Sequence, residues 1–262
     1  MDLLVPPGLS PQRRTTLEEV ARRNLAEHGA GLLGLVLSGS VGRGIATERS
    51  DVDIYVVLSK EALGERRTTR STAVDEIPVA LTELEHVPEF GTHGWWFRWS
   101  FAWAPVLLDR SDGRLGPALR RQATVTAGEA ESILVHHHRL DGYLNYAYRA
   151  LKSDRDGLAL ERRLDCAESV PWLLDVVFTL AGRVRPYHRY LPWELTDHPV
   201  QGWPAEELLP LVRRTLDGDP SAVRETFRRV EVACASYDES RSEPTLTGII
   251  DDWGTELDLL RP

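Results

Sequence analysis

Cysteine is scarce in this chain of 262 residues, and long apolar runs are missing. The two cysteines, Cys166 and Cys234, form no C-x-x-C pair, which argues against a disulfide framework and a structural zinc site. No apolar run approaches the roughly 20 residues that span a bilayer, and the first residues lack the basic-then-apolar order of a signal peptide. We therefore expect a cytoplasmic protein without a membrane partner.

Basic residues are fewer than acidic residues in this chain. The chain has 31 Lys+Arg against 40 Asp+Glu, for a formal net charge of -9, and its only lysines are Lys60 and Lys152. Generic binding to DNA, RNA or anionic membranes depends on Lys and Arg meeting phosphates, so this balance argues against a nucleic-acid partner. The 42% of hydrophobic residues is typical of a globular protein that can bury a core.

Hydrophobic patterning differs between the two halves of the chain. The first half predicts one helix and four short strands, over residues 15–28, 32–37, 52–58, 74–81 and 104–108. From about residue 115 the apolar residues recur at helical spacings, with a kink or a helix restart at Pro171. The pattern predicts an α+β fold: an N-terminal domain over residues 1–115, with a mixed sheet and flanking helices, and a C-terminal helical bundle over residues 116–262.

One segment of the first half carries most of the chemical information. A β-run ends at Gly39-Ser40, a glycine-rich turn follows, and the chain returns as a strand that starts with Asp51 and Asp53. Residues two apart on a strand project from the same face, and two adjacent carboxylates repel each other unless a cation neutralises them. Carboxylate oxygens suit Mg²⁺, and glycines let backbone N–H groups approach a phosphate. The segment predicts a metal-bridged triphosphate site.

The same segment resembles the signature of the nucleotidyltransferase superfamily that includes DNA polymerase β and the aminoglycoside and lincosamide nucleotidyltransferases. The residues that carry the resemblance are Gly39-Ser40, Arg43-Gly44 and Ser50-Asp51-x-Asp53. The resemblance implies that residues 1–115 are the catalytic domain and residues 116–262 the substrate-binding domain. It also implies a nucleoside triphosphate, with ATP expected, two Mg²⁺ ions on Asp51 and Asp53, and pyrophosphate as a product.

The nucleotide-binding candidates in this segment are Gly39, Ser40, Arg43 and Ser50. Ser40 and the neighbouring backbone would hold the β- and γ-phosphates, and Arg43 would lie near the phosphates or brace the turn. The family also uses a third carboxylate on a neighbouring strand, as metal ligand or general base. Glu76 is our first choice for it, because apolar residues flank it in the expected place, and Asp75 and Glu83 are the alternatives.

The helical half offers two further candidates for nucleotide contact. Lys152 lies at the end of the first bundle helix. There it either contacts a triphosphate or only interacts favourably with the negative end of the helix dipole. Arg189 belongs to a stretch of cations and aromatics, residues 183–195, which either reaches nucleotide or substrate or packs as a linker.

Four tryptophans cluster between the third and fourth predicted strands. Trp96, Trp99 and Trp103 have spacings of three and four, so they share one face of a helix, which favours a core position. If they are exposed at the domain cleft, they could instead stack on a sugar or a base.

Acidic residues outnumber basic ones, which suits a polycationic acceptor of the aminoglycoside type. We therefore expect transfer of AMP to a hydroxyl of a small molecule, by a monomer or a dimer. Two alternatives stay open at this stage. One is transfer of AMP onto a protein, as in toxin–antitoxin nucleotidyltransferases, and the other is an inactive nucleotide-binding module, expected if no third carboxylate meets Asp51 and Asp53.

Overall fold

The computed structural model describes residues 3–239, 241 and 244–261. The chain divides into two units, Met1–Thr124 and Val125–Pro262. The boundary expected after residue 115 falls at the start of a helix, Leu115–Ala123. Leu115 and Leu119 of that helix pack in the core of the N-terminal unit, so the helix belongs to that unit.

A mixed five-stranded sheet forms the centre of the N-terminal unit. Its strands are β1 (Leu32–Leu37), β2 (Val52–Leu58), β3 (Thr69–Arg70), β4 (Val74–Ala80) and β5 (Val106–Asp109), in the order β3-β4-β2-β1-β5. β2 and β4 are parallel, whereas the other neighbours are antiparallel. As a result β2, β4 and β5 begin at the edge of the sheet where β1 ends, and we call this edge the entry edge.

Six helices accompany the sheet in the described residues: α1 (Pro11–His28), α2 (Gly39–Gly42), α3 (Lys60–Leu63), α4 (Leu81–Glu85), α5 (His93–Phe97) and α6 (Leu115–Ala123), with a 3-10 turn over Arg98–Phe101. α1 begins before the predicted Thr15 because Ser10 caps it, accepting a hydrogen bond from the Arg13 N–H, and Pro11 occupies its first turn. It ends at Gly29, as predicted, which adopts a positive φ of 54°.

The two faces of the sheet bury different cores. On the α1 face, Leu17 and Val20 of α1 pack with Val52 and Ile54 of β2. On the opposite face, which we call the α6 face, Tyr55 and Val57 of β2 pack with residues of α4 and α6. Successive side chains along each strand therefore point to opposite faces of the sheet.

The C-terminal unit is helical. It contains α7 (Ala127–Glu131), a π-helical turn (Ser132–His136), α8 (Arg139–Arg155), α9 (Ala159–Leu180), α10 (Leu191–Asp197), α11 (Ala205–Leu216), α12 (Pro220–Glu239) and α13 (Leu246–Asp251). α9 continues through Pro171 without a restart, and the Ser169 hydroxyl donates to the Cys166 carbonyl oxygen within the same helix. The predicted α+β fold with a helical C-terminal part is confirmed.

No helix in the described ranges combines the length and the apolar composition that crossing a membrane requires.

Candidate active site

Three aspartates come together at the entry edge. Asp53 is the second residue of β2, and its partner in the parallel neighbour β4 is Asp75. Asp53 alternates with Val52 and Ile54, which face α1, so its carboxylate lies on the α6 face. Asp75 shares that face because Ile77, two residues later, packs in the α6-side core. Asp51 precedes β2 by one residue.

The pKa of Asp53 reflects the proximity of the other two aspartates. Its pKa is raised to about 6, first by burial and then by the charges of Asp51 and Asp75, whereas the charge of Arg43 opposes the rise. Neighbouring carboxylates disfavour ionisation unless a cation offsets them. The entry edge therefore concentrates negative charge that the surrounding side chains compensate only in part.

Glu76, our first choice for the third carboxylate, lies on the wrong face. It forms an ion pair with Arg23 and accepts a hydrogen bond from Asn24 Nδ2 at 2.8 Å, and both partners belong to α1. Because side chains alternate along a strand, the residue next to Asp75 must face the opposite side of the sheet. The β2–β4 register therefore brings Asp75, and not Glu76, to the side of Asp53.

Asp75 is held in position without being enclosed. Its Oδ1 accepts a hydrogen bond from the Ser71 N–H at 3.2 Å, and Arg70 Nε lies 3.7 Å from Oδ2. Its side chain is 18% exposed, whereas that of Arg70 is 78% exposed. The other alternative, Glu83, accepts from the Ala80 N–H and so caps the start of α4. That contact ties Glu83 to the far end of β4.

A tight approach of backbone to carboxylate explains the first glycine of the motif. Gly39 has a φ of +61°, and a Cβ at this position would lie 1.9 Å from Asp53 Oδ2. The preceding Ser38 fixes the approach, since its N–H donates to the Asp53 carbonyl oxygen at 2.8 Å. Only glycine tolerates both this conformation and this distance. The turn therefore passes directly over the Asp53 carboxylate.

Ser40 follows in α2 and is buried. Its carbonyl oxygen accepts from the Ile45 N–H at 3.0 Å, which closes the glycine-rich turn. Among the described residues, no side chain or backbone group forms a hydrogen bond with its hydroxyl. Its predicted contact with phosphate stays a prediction.

Arg43 braces the turn. Its guanidinium is buried and donates to the carbonyl oxygens of Gly39 at 2.9 Å and Ala102 at 2.9 Å. It also stacks on the Trp99 ring, 4.0 Å from the ring centroid. Of the two roles that the sequence left open for Arg43, these contacts favour bracing over phosphate contact. The positive charge still acts on the site, since it offsets part of the rise in the pKa of Asp53.

Ser50 organises the approach to β2. The Thr47 N–H donates to the Ser50 hydroxyl oxygen at 3.0 Å, and Arg13 Nη2 donates to the Ser50 carbonyl oxygen at 3.2 Å. These contacts place Ser50 in a turn directly before Asp51. They support a structural role, and a direct contact with nucleotide stays a prediction.

The two candidates of the helical unit are solvent-exposed. Lys152 lies in the last turn of α8, and Arg189 lies in a 3-10 turn over His188–Tyr190, with its guanidinium 5.9 Å from the ring centroid of Tyr190. Their contact with nucleotide stays a prediction.

The tryptophans divide into two groups. Trp95 and Trp99 are buried, whereas Trp96 and Trp103 are 39% and 48% exposed. The helical turns end at Phe101, so Trp103 does not share a helical face with Trp96 and Trp99, contrary to the spacing argument. Sequence reasoning also missed that the main chain from Trp99 to Ala102 supplies carbonyl oxygens that hold Arg43.

Comparison with known proteins assigns the class of chemistry. Residues 14–88, which include Asp51, Asp53 and Asp75, match the family model described as "Nucleotidyltransferase domain". A nucleotidyltransferase-like protein from Exiguobacterium sibiricum 255-15 aligns with 93% of this chain and 89% of its own, at 14% identity and a TM-score of 0.40. No curated protein sequence matches the chain. The prediction of a nucleotidyltransferase domain is confirmed for residues 14–88.

Proposed function

We propose that the protein transfers a nucleoside monophosphate, AMP from ATP, to a hydroxyl of a small molecule, with Mg²⁺ bound by Asp51 and Asp53. The observation that carries the proposal is the in-register pair of Asp53 and Asp75 on adjacent parallel strands, directly beneath the Gly39 turn. Two carboxylates alone would suffice for nucleotide binding. A third on the same face supports transfer and weighs against an inactive binding module.

The donor set fits magnesium that arrives together with nucleotide. No group of three or more His, Cys, Asp or Glu side chains in the described ranges is arranged to hold a metal ion unaided. Mg²⁺ usually takes one or two protein carboxylates and completes its shell with water and phosphate oxygens. Gly39 also leaves open the space beside Asp53 Oδ2 that a Cβ would fill. We propose two ions, as in the two-metal sites that perform in-line displacement.

In the proposed reaction, the acceptor hydroxyl oxygen forms a bond to the α-phosphorus while the bond from that phosphorus to pyrophosphate breaks. Asp75 accepts the hydroxyl proton. The Gly39-Ser40 turn binds the β- and γ-phosphates through backbone N–H groups and the Ser40 hydroxyl. Bound magnesium would neutralise the triphosphate and the departing pyrophosphate.

The charge of the protein favours a cationic acceptor. The surplus of acidic residues, 40 against 31, lowers the electrostatic cost of binding a polycation such as an aminoglycoside. The same surplus disfavours a nucleic-acid acceptor. We therefore propose an aminoglycoside-type compound or another hydroxylated small molecule as the acceptor.

Pyrophosphate release from Mg-ATP tests the proposal. Wild-type protein is incubated with a panel of aminoglycosides, lincosamides and aminocyclitols, and products are identified by a mass increase equal to one AMP. We expect release that depends on magnesium and on at least one acceptor, and that Asp53→Asn abolishes. If the protein binds Mg-ATP but modifies no member of the panel and instead labels a protein, the small-molecule acceptor is wrong.

A further inference from the structure

We propose that Trp103 is the stacking platform for the base of the nucleoside triphosphate. The inference rests on the proposed function, because it concerns the nucleotide that the aspartates and the Gly39 turn would bind. It assigns a specificity-determining role to a residue outside the motif and outside the matched range of residues 14–88.

Trp103 occupies a backbone position that normally requires glycine. Phe101–Ala104 forms a turn closed by the Ala104 N–H and the Phe101 carbonyl oxygen at 3.4 Å. Ala102 has φ −64° and ψ 128°, and Trp103 has φ 60°. These angles, together with the hydrogen bond, fit a type II turn, whose third residue is glycine or asparagine in most proteins because a Cβ is strained at positive φ. A bulky tryptophan in this conformation points to a function for its side chain.

The surrounding contacts fasten this turn to the nucleotide turn. Arg43, whose guanidinium also binds the Gly39 carbonyl oxygen, donates to the Ala102 carbonyl oxygen. On the other side of Trp103, the Leu37 N–H donates to the Pro105 carbonyl oxygen at 2.9 Å. A single buried cation therefore links the main chain beside Trp103 to the glycine that covers Asp53. These contacts also fix the strained conformation in place.

The position of Trp103 suits the base and not the phosphates. Trp103 lies just before β5, which begins at the entry edge, and β1 separates β5 from β2, which carries Asp53. Two strand spacings separate β5 from β2 by about 10 Å, so a base bound beside the start of β5 leaves room for the sugar next to an α-phosphate bound at the start of β2.

The exposure of Trp103 supplies the surface that stacking needs. Its side chain is 48% exposed, whereas Trp99, which supports Arg43 in the same segment, is 1% exposed. Nearly half of the indole surface is therefore accessible to a ligand, and aromatic side chains bind nucleobases by stacking. Stacking requires no hydrogen bond to the base edge, so it tolerates different bases and favours the larger purines.

Binding of Mg-ATP and of magnesium tripolyphosphate, measured by isothermal titration calorimetry, separates base contact from phosphate contact. The variants are Trp103→Gly, which suits the turn, Trp103→Phe, which keeps a ring, and Trp96→Ala, which removes another exposed tryptophan of the same unit. We expect Trp103→Gly to weaken Mg-ATP binding about tenfold and Trp103→Phe to weaken it less than threefold. Binding of tripolyphosphate stays unchanged in all variants, and Trp96→Ala binds both ligands like wild type.

Equal Mg-ATP affinities for wild type and Trp103→Gly would overturn the inference and leave the proposed function intact. A parallel loss of ATP and tripolyphosphate binding would also overturn it, because Trp103 would then only support the phosphate turn. A defect confined to the KM of the acceptor would assign the indole to the acceptor instead. If wild-type protein bound neither ligand, the proposed function itself would fail.

Discussion

Asp75 and Glu76 are sequence neighbours on opposite faces of β4, and paired isosteric substitutions therefore test which face takes part in the proposed reaction. Asp75→Asn removes the carboxylate beside Asp53 but keeps an oxygen that can accept from the Ser71 N–H. The lost ion pair is long, 3.7 Å, and involves an Arg70 side chain that is 78% exposed. We expect stability to change by less than about 0.5 kcal/mol, since exposed pairs contribute little.

Activity should respond in the opposite way. A carboxylate that accepts a proton in the transition state typically contributes about 10² to 10⁴ in rate. We expect Asp75→Asn to lower kcat/KM by about a hundredfold or more, with the effect mainly in kcat because ATP binding does not need the proton acceptor.

Glu76→Gln is the matched control. It removes the charge that pairs with Arg23 but keeps an oxygen that can accept from Asn24. The variant therefore loses one half-exposed ion pair and replaces a charged hydrogen-bond acceptor with a neutral one. We expect the free energy of unfolding to fall by about 1 kcal/mol and kcat/KM to stay within about twofold of wild type.

Pyrophosphate release and urea unfolding, both performed on the two variants, provide the comparison. If Glu76→Gln lost activity while Asp75→Asn kept it, the assignment of the carboxylates by strand register would be refuted. Equal losses in both variants would show that the face of β4 does not determine function.

Three further perturbations address the same edge of the sheet. Because the pKa of Asp53 is raised above its unfolded value, Asp53 should contribute a gain of about 1 kcal/mol, discounted for partial exposure, to the stability of metal-free protein as pH falls from 7 toward 4. The difference in unfolding free energy between wild type and Asp53→Asn, measured in urea with EDTA present, should therefore change by this amount between the two pH values. Gly39→Ala places a Cβ against Asp53 Oδ2 at a residue with positive φ, so pyrophosphate release should fall at least a hundredfold. Thermal unfolding of this variant should show a loss of stability of roughly 1 kcal/mol or more, because alanine is strained in this backbone conformation. Arg43→Ala leaves the carbonyl oxygens of Gly39 and Ala102 without this donor, so the free energy of unfolding in chemical denaturation should fall by about 2 to 4 kcal/mol. A variant as stable as wild type would contradict the bracing role.

The sequence was sufficient for the parts of the site that depend on local periodicity. The period of two residues along a strand predicts that Asp51 and Asp53 lie close together, and the charge of Asp51 does act on Asp53. The Gly39 turn could be recognised from its composition. The α+β fold followed in the same way from the change in apolar spacing near residue 115.

The third carboxylate depended on information that local sequence does not contain. The choice between Asp75 and Glu76 is a choice of register between β2 and β4, and a shift of one residue exchanges the two faces. Flanking apolar residues favoured Glu76, but both faces of β4 are apolar around this pair. Pairing with β2 decides which residue meets Asp53.

Arg43 and Trp103 show a second limit. The bracing role of Arg43 depends on carbonyl oxygens that lie more than fifty residues away in sequence. The spacing of Trp103 predicts a helical position, but the chain leaves the helical turns at Phe101 and enters a turn of type II in which tryptophan is unusual. Residue propensity does not predict this conformation of Trp103, because tertiary contacts stabilise it.

Electron paramagnetic resonance of Mn²⁺, used in place of Mg²⁺, measures directly whether the aspartate cluster holds metal together with nucleotide. With a non-hydrolysable ATP analogue present, wild-type protein and Glu76→Gln should bind Mn²⁺ tightly, and Asp53→Asn should lose most of that binding. Equal Mn²⁺ binding by Asp53→Asn and wild type would contradict the assignment of the entry edge as the metal–nucleotide site.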